Sequence, residues 1–496
     1  MYGSIVEAVF TNAATQPDKM VVADEKRSVT YAQYKEEICR FARVLRDMGV
    51  KKDNKIVAEA SQTIDFLSFE LAIHLVGGVF VPLERNCAWE KIVRIVRLSD
   101  AVLAVTNKAH DEADGIRQIT LGELKEKAAA GEPLSDYVLP DENAPADILF
   151  STGTTGKEKG IVASHRNSVA IGENAMYGLG IEQDNIELVP SPLNHSFGLR
   201  RYYGNMVAGA SVVLVTGVMN VMGFFKMMDE YKVTAIDLVP TALNVLLRFS
   251  KNKFNEYKDI LRYIQFGSAP LSEIDRQKIC ELLPNTRLYN VYGSTEGGCI
   301  CVYNFNVPGS KGQCIGKAAY DAKIIVVDEN RNEIESSKDN VGLFASFSPM
   351  NMLGYWKDEE ETKKALINGG IYSNDEVYVD EDGEIILLGR RGDVLNVGGN
   401  KVSPDEIEDV AKKHPVVADC GCIGIRDEIK GDAPKLYVQV KKGSEFDPVS
   451  IRHHLAANLE PYKVPAVIEQ IDLIPRSFNG KLLRRALRSL NEEKNN

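Results

Sequence analysis

The chain has 496 residues, which is too long for one compact core and predicts more than one structural unit. Hydrophobic residues make up 44% and charged residues 26% of the sequence, as in an ordinary globular protein. Because 59 basic side chains face 70 acidic ones, the net charge is −11, which argues against broad binding of nucleic acid or an anionic membrane.

The sequence indicates neither export nor insertion into a membrane. Its first residues lack a basic region followed by an apolar core. The most apolar stretch, residues 210–228, is interrupted by Thr216, Asn220 and Lys226. The eight cysteines show no CxxC pair and no zinc-ligand spacing. We therefore expect a cytoplasmic protein with reduced thiols, no membrane span and no nucleic-acid partner.

Strand-like runs alternate with helical runs through the first two-thirds of the chain. An apolar helix pattern at 63–78, for example, separates two buried strand patterns. Such alternation favours β-α-β units and largely parallel sheets, so the predicted fold class is α/β. The strand patterns lie at 54–60, 79–83, 100–106, 187–193, 211–216, 235–241, 263–268 and 287–293.

The pattern changes after about Gly309, where hairpin strands predict a smaller β-rich part. One hairpin, over residues 377–390, is expected to turn at Asp382-Gly383. A helix should then begin at Pro404, with Ser403 as N-cap and Glu406 completing a capping box. We place a boundary here, with a large N-terminal domain at 1–391 and a small mobile α/β domain at 392–496.

The stretch "FSTGTTGKEKG", residues 150–160, directly follows an apolar run. It combines three glycines, four hydroxyl side chains and two lysines. Glycine allows close backbone approach, and N–H groups, hydroxyls and ammonium groups all suit anionic oxygens. A solvated loop can have the same composition, so the stretch alone leaves a phosphate site and a surface loop both open. It does not fit the GxxxxGK[ST] pattern of P-loop ATPases.

Five further segments follow this loop in a fixed order. The order and spacing of the six segments resemble the adenylate-forming superfamily, which includes acyl- and aryl-CoA ligases, stand-alone adenylation domains and firefly-type luciferases. The resemblance covers essentially the whole chain and implies a large N-terminal domain with a small mobile C-terminal one. The five segments are "PLNHSFGL" (192–199), "FGSAPLS" (266–272), "NVYGSTEGG" (290–298), the run from "YSNDEVYV" to "VSPDEIE" (372–408) and "PRSFNGKLLRR" (475–485).

The resemblance implies that ATP and a carboxylic acid form an acyl-adenylate and pyrophosphate, and that the acyl group passes to a thiol. Glu296 would coordinate Mg²⁺, which prefers hard oxygen ligands, and Thr295 would contact the α-phosphate. Tyr292 would stack on adenine, while Asp375 and Arg390 would bind the ribose. The remaining implied nucleotide-binding residues are Ser151, Thr152, Gly153, Thr154, Thr155, Gly156, Lys159, Gly267, Ser268, Ala269, Asn290 and Gly293.

Two residues of the C-terminal part have implied roles in catalysis. Lys481 would bring a flexible positive charge to the α-phosphate and the attacking carboxylate, and so stabilise the transition state. Taken alone, it is one more cation in a basic tail. Gly392 lies where the family rotates its C-terminal domain between two poses, and glycine suits a hinge that absorbs large backbone changes.

The implied acyl pocket begins at His195, Ser196, Phe197 and Gly198. His195 would sit beside the substrate carboxylate as a catalytic residue; a structural histidine is the alternative. Amino-acid-activating relatives usually carry Asp where this chain has Ser196, and an unpaired buried ammonium is costly, so a simple or aromatic acid is expected. Arg200 and Arg201 are interpreted as helix-surface charges or structural pairs, with contact to a second anionic group of a ligand left open.

Some residues depart from the family pattern. Glu158 replaces a usual proline and would add a negative charge near the phosphates, Asn374 replaces a glycine, and Lys401 replaces an arginine. Three readings of function follow. The first is an AMP-forming acid–CoA ligase that uses ATP, Mg²⁺ and CoA. The alternatives are an adenylation enzyme that loads a carrier protein, and a binding module without turnover.

Overall fold

The computed structural model describes residues 2–110, 115–152, 158–427, 431–477 and 480–495. Up to the glycine-rich loop, short strands alternate with helices. The elements are α1 (Ile5–Thr15), β1 (Met20–Ala23), β2 (Ser28–Thr30), α2 (Tyr31–Asp47), β3 (Lys55–Glu59), α3 (Ile64–Leu75), β4 (Val79–Leu83), α4 (Trp89–Ser99), β5 (Ala101–Thr106), β6 (Gln118–Thr120), α5 (Leu121–Ala130) and β7 (Pro145–Thr152).

The same alternation continues beyond the loop to the middle of the chain, with a 3₁₀ helix after α9. The elements are β8 (Glu158–Ser164), α6 (His165–Leu179), β9 (Ile186–Val189), α7 (Ser196–Ala208), β10 (Ser211–Leu214), α8 (Val221–Tyr231), β11 (Ala235–Leu238), α9 (Pro240–Ser250), the 3₁₀ helix (Lys253–Tyr257), β12 (Tyr263–Phe266), α10 (Glu273–Leu282), β13 (Arg287–Ser294) and β14 (Gly298–Asn304).

Strands dominate the next part, and a mixed C-terminal part follows it. The elements are β15 (Cys314–Ala318), β16 (Lys323–Val327), β17 (Gly342–Phe347), β18 (Gly354–Tyr355), α11 (Glu359–Ala365), β19 (Leu366–Ile367), β20 (Gly370–Val379), β21 (Ile385–Arg390), β22 (Leu395–Val397), β23 (Asn400–Val402), α12 (Pro404–Lys412), β24 (Val417–Asp427), β25 (Gly431–Val440), α13 (Pro448–Asn458), a 3₁₀ helix (Pro461–Lys463), β26 (Val467–Gln470) and α14 (Arg484–Asn495).

Three sheets organise the described residues. The large sheet runs β16-β17-β20-β21-β15-β14-β13-β12-β11-β9-β10-β1-β2, with β19 beside β20. Neighbouring strands pair in parallel through the order β1, β10, β9, β11, β12 and β13. From the β13–β14 pair toward the β16 edge, neighbouring strands pair antiparallel. The second sheet runs β18-β8-β7-β4-β3-β5-β6, and the C-terminal sheet runs β23-β22-β25-β24 with β26 beside β25. These sheets, with helices packed on them, confirm the predicted α/β class.

The predicted hairpin turn is confirmed, and the predicted capping box is wrong. Val379 pairs with Ile385 across the turn, where Gly383 has a φ of 72°. Ser403 does precede Pro404 at the start of α12, but its side chain makes no capping hydrogen bond. The Glu406 carboxylate instead accepts a hydrogen bond from Lys463 Nζ at 2.7 Å, which draws it away from the helix terminus.

Within the described residues, no helix combines the length and the apolar character needed to cross a membrane.

Candidate active site

The carboxyl ends of parallel strands β12 and β13 meet the start of helix α7, the kind of crevice in which open α/β sheets bind ligands. The Phe197 ring packs directly on Gly267, where an added Cβ would lie 2.5 Å from Phe197 Cε2. At Gly198 an added Cβ would lie 2.6 Å from the Pro192 carbonyl oxygen, so only glycine allows α7 to begin this close to the loop before it.

Two predicted residues flank this junction. His195 is the N-cap residue of α7, and its side chain makes no capping bond. The protein around its ring lowers the pKa of His195, because it disfavours the charged imidazolium, while Glu84 acts in the opposite direction. Ser268, which with Ala269 is among the predicted nucleotide-binding residues, has a φ of 69°. That left-handed conformation is uncommon for a residue with a side chain.

A tight turn at residues 294–297 joins β13 to β14 and carries Thr295 and Glu296. Ser196 Oγ lies 3.1 Å from Thr295 Oγ1, which ties the turn to α7. The Tyr355 hydroxyl donates to Glu296 Oε1 at 2.9 Å. Glycine is required beside this turn, because a Cβ at Gly293 would lie 2.0 Å from the Gly298 carbonyl oxygen.

The glycine-rich loop joins antiparallel strands β7 and β8, in which Ser151 pairs with Lys159 and Thr152 with Glu158. The predicted phosphate-binding residues Gly153, Thr154, Thr155 and Gly156 lie outside the described residues.

Lys159, on β8, contacts both Tyr355 and Glu361. Its Nζ is 5.1 Å from the Tyr355 ring centroid and 2.5 Å from Glu361 Oε2. Hydrogen bonds from Lys159 and Lys364 lower the pKa of Glu361 to about 2. Tyr355 therefore contacts both Lys159, through its ring, and Glu296, through its hydroxyl.

Glu158 does not face the loop as a free negative charge. Its carboxylate forms two hydrogen bonds with Arg94 of α4, at 2.9 and 3.0 Å. The negative charge that Glu158 is expected to add near the phosphates is therefore offset by the positive charge of Arg94.

The predicted ribose-binding residues form one contiguous group. Asp375 on β20 pairs in register with Arg390 on β21, and Arg390 Nε lies 3.6 Å from Asp375 Oδ1. The Tyr292 hydroxyl donates to Asp375 Oδ2 at 2.5 Å, and its ring packs edge-on against Phe344. Asn290, two residues before Tyr292 on β13, pairs with Phe266 of β12.

Lys481 reaches this group from the C-terminal part of the chain. The protein around its ammonium lowers the pKa of Lys481; Arg390 lowers it further, whereas Asp375 raises it. Gly480, with a φ of 80°, packs against Thr241 of α9, so closely that an added Cβ would lie 2.1 Å from Thr241 Cγ2. The charges of both predicted ribose-binding residues therefore act on Lys481.

The predicted hinge, Gly392, lies two residues after Arg390 in the chain. Gly392 has a φ of 84°, with no atom within 4 Å of an added Cβ. Its carbonyl oxygen accepts a hydrogen bond from Arg488 of α14 at 2.6 Å. The backbone conformation, rather than crowding, favours glycine here.

Comparisons with known proteins identify the family of this chain. The family described as AMP-binding enzyme matches residues 9–356, and the family described as AMP-binding enzyme C-terminal domain matches residues 406–481. The chain belongs to the AMP-binding enzyme family. The predicted resemblance to adenylate-forming enzymes is therefore confirmed.

The similarity of this AMP-binding enzyme to known proteins extends over nearly its whole length. A 2-succinylbenzoate–CoA ligase of Bacillus cereus is 28% identical over 482 residues, which cover 96% of this chain and 97% of the relative. The ATP-bound MatB of Rhodopseudomonas palustris superposes with a TM-score of 0.87 at 22% identity, covering 99% of each chain. The o-succinylbenzoate CoA synthetase MenE of Bacillus subtilis, solved with its acyl-adenylate intermediate OSB-AMP, gives 0.85 at 24% identity and 97% of each chain.

Arg200 and Arg201 of this AMP-binding enzyme are not helix-surface charges, so that part of the expectation is wrong. Their exposed fractions are 8% and 1%. Arg200 donates to the carbonyl oxygens of Ser294 and Thr295, and Arg201 donates to Gln265 Oε1 at 2.5 Å. Both are structural pairs with polar partners in the protein.

Sequence reasoning missed a buried polar cluster formed by Glu70 and His74 of α3 with Asp147 of β7. One ligand atom of each lies within 4.8 Å of the others, a spacing that a metal ion could use. His74 Nε2 lies 3.0 Å from Asp147 Oδ1, and the Tyr203 hydroxyl lies 2.7 Å from Glu70 Oε1. The signal in the sequence was an acid and a histidine four positions apart in a largely apolar helix.

Proposed function

We propose that this chain is an AMP-forming acid–CoA ligase, in which Lys481, Asp375 and Arg390 act together in the first half-reaction. An oxygen of the acid's carboxylate attacks the α-phosphorus of ATP, and pyrophosphate leaves. The thiol of CoA then loses its proton to water, the resulting thiolate attacks the acyl carbon, and AMP leaves. The full-length similarity to a CoA ligase supports this proposal.

The observation that carries the proposal is that the Lys481 ammonium lies near enough to Asp375 and Arg390 for both of their charges to shift its pKa. A cation at this place would neutralise charge on both the attacking carboxylate and the α-phosphate, which repel each other before the bond forms. Asp375 would accept hydrogen bonds from the ribose hydroxyls and so fix the distance between the nucleotide and Lys481.

The residues around the turn at 294–297 fit Mg²⁺ and phosphate. Glu296 offers a carboxylate held in place by the Tyr355 hydroxyl, and a carboxylate is a ligand that Mg²⁺ prefers. When bound, Mg²⁺ would neutralise phosphate charge. Lys159 would exchange its contact with Glu361 for the terminal phosphates, while Ser151, Thr152 and the loop from Gly153 to Gly156 would supply further donors.

The substrate is proposed to be an aromatic or other organic acid without an α-amino group. Ser196 contacts Thr295, so the position offers a hydroxyl and no carboxylate for a substrate ammonium. Phe197 supplies an aromatic wall beside Gly267. His195 would face the substrate carboxylate. The name of the Bacillus cereus relative, an aromatic-acid ligase, favours the same class.

We place the enzyme in the cytoplasm, where ATP and CoA are available. All eight cysteines carry free thiols, which supports a reducing compartment.

A pyrophosphate-release assay tests the function. A panel of aromatic, aliphatic and hydroxylated acids is run with ATP and Mg²⁺, each with and without CoA. We expect one class of acid to give sustained turnover that depends on CoA. Pyrophosphate release that CoA does not accelerate would favour a carrier-protein acceptor instead. ATP binding with no release for any acid would favour a binding module.

A further inference from the structure

Arg200 is a buried cation held by two backbone carbonyl groups. It lies on α7, two residues after the predicted pocket residue Gly198, and 8% of its surface is exposed. Its Nη1 donates to the Ser294 carbonyl oxygen and its Nη2 to the Thr295 carbonyl oxygen, both at 2.7 Å. These are the two peptide groups that immediately precede Glu296.

The guanidinium fixes the orientation of both peptide groups. Because a trans peptide is planar, its N–H points opposite to its C=O. Arg200 therefore turns the N–H groups of Thr295 and Glu296 away from itself. The next carbonyl, that of Glu296, accepts from the Met352 N–H at 2.7 Å, so three successive carbonyl groups of this turn are held from outside the turn.

The charge of Arg200 is not consumed by a salt bridge. Among the described residues, no carboxylate lies within the 4.0 Å that defines an ion pair with Arg200. Burial lowers its pKa to about 10, so the group stays cationic at neutral pH. A neutral side chain would avoid the cost of burying a charge, and two carbonyl groups alone do not require a cation.

We propose that Arg200 is a positioning residue that sets the place of Glu296 and Thr295 for binding of the ATP–metal complex. The planar fork of Arg spans two adjacent carbonyls, which the single ammonium of Lys cannot do. Its positive charge also polarises the two peptides, so their N–H ends become better donors to an anion. The inference rests on the proposed function, because Glu296 is its metal ligand.

Two variants, Arg200→Lys and Arg200→Gln, test the proposal through metal dependence. Binding of Mn²⁺–ATP is measured by electron paramagnetic resonance in the absence of any acid, and thermal unfolding is followed in parallel. We expect the apparent Mn²⁺–ATP affinity to fall by about 10- to 100-fold in R200Q, the range for losing hydrogen bonds to a charged group, with R200K in between. Where turnover is available, the Mg²⁺ concentration for half-maximal rate should rise accordingly, while KM for the acid stays within about twofold.

Arg276 offers a matched control. It is buried to a similar degree, and its guanidinium donates to the Lys311 carbonyl oxygen and to Ser310 Oγ, remote in sequence from the 294–297 turn. R276K should lower the unfolding temperature without changing Mn²⁺–ATP affinity. If R200K and R200Q behave in the same way as R276K, Arg200 is structural only and the proposal is overturned.

Failure of the proposed function gives a different result. A wild-type protein that binds Mn²⁺–ATP but turns over no acid contradicts the ligase and leaves the Arg200 effect measurable by binding. A wild-type protein that binds no Mn²⁺–ATP contradicts Glu296 as a metal ligand and overturns both.

Discussion

Lys481 is a lysine whose surroundings oppose the charge that its proposed role requires. The protein around it lowers its pKa, with Arg390 adding to the effect. Removing the ammonium in K481A should reduce pyrophosphate release by about 10²- to 10³-fold, as for the loss of a preorganised donor to a developing anion. The folded protein should keep its thermal stability, because the Lys481 ammonium forms no hydrogen bond or ion pair with another described residue. A loss of less than about fivefold would contradict the role.

The lowered pKa also predicts a pH dependence. Because the cation is the active form, the rate of adenylate formation should fall as pH rises through this pKa, earlier than the usual 10.5 of lysine would allow. K481R keeps its charge at high pH, so its residual rate should not show that fall. The measurement is the pH profile of single-turnover adenylate formation for both proteins. An alkaline fall at the same pH in both would assign the ionisation to another group.

Helix α3 carries two ionisable side chains into the core. Glu70 and His74 have exposed fractions of 0% and 1% and face Asp147. Burial, and then the nearby Asp147 charge, raises the pKa of Glu70 well above its usual 4.5. The Tyr203 hydroxyl contacts both Glu70 Oε1 and Asp147 Oδ2, and its single proton can serve only one of them. A proton held on Glu70 satisfies the other contact.

The proton on Glu70 makes the stability of the fold depend on pH. Since the folded state holds a proton that the unfolded state releases, wild-type stability should decline as pH rises above 4.5. E70Q mimics the neutral acid, so its free energy of unfolding should match wild type within about 1 kcal/mol near pH 5 and exceed it at pH 8. Urea unfolding at both pH values measures this; a constant difference between the two proteins would contradict it.

Replacement of His74 should destabilise the fold, unlike replacement of Glu70 by glutamine. H74A leaves the Asp147 carboxylate without its imidazole partner and opens a cavity, so it should lose about 2–4 kcal/mol at neutral pH. The same urea experiment compares it with E70Q. Equal stabilities of H74A and wild type would show that the His74–Asp147 contact contributes little.

The elements of this molecule could largely be predicted from local patterns, whereas their partners could not. The hairpin at Asp382-Gly383 follows from turn chemistry within four residues, and Lys159, Glu296, Asp375 and Lys481 stand in recognisable motifs. The contacts that hold the side chains of the predicted motifs join positions far apart in the chain. The bonds of Glu158 to Arg94, of Glu296 to Tyr355 and of Glu406 to Lys463 all depend on packing that no single segment specifies.

The C-terminal part contacts the N-terminal part through a glycine that cannot be enlarged. A Cβ at Gly480 would lie 2.1 Å from Thr241 Cγ2. G480A should therefore disfavour this arrangement of the two parts and slow adenylate formation by about 10-fold or more, since an overpacked contact typically costs 1–3 kcal/mol. Transfer of a preformed acyl-adenylate to CoA should change less, because that step is proposed to use another pose.

Gly443 provides the control for backbone strain. Its φ is 84°, close to the 80° of Gly480, and an added Cβ would meet no atom within 4 Å. G443A should thus bear the same strain without the clash and leave both half-reactions nearly unchanged. Rapid-quench measurement of each half-reaction separates the two variants. Equal slowing of both steps in G480A would contradict a pose-specific contact.

The register of β20 and β21 places the residue proposed to bind the ribose next to the proposed hinge. Asp375 pairs with Arg390, and the Arg391 N–H donates to the Asn374 carbonyl oxygen at 2.7 Å, immediately before Gly392. A rotation at Gly392 would therefore start beside the carboxylate proposed to hold the sugar. Rotation of the small domain back to its starting pose would then also weaken the binding of AMP. Release of AMP and return of the enzyme to its starting conformation would become one step with one rate.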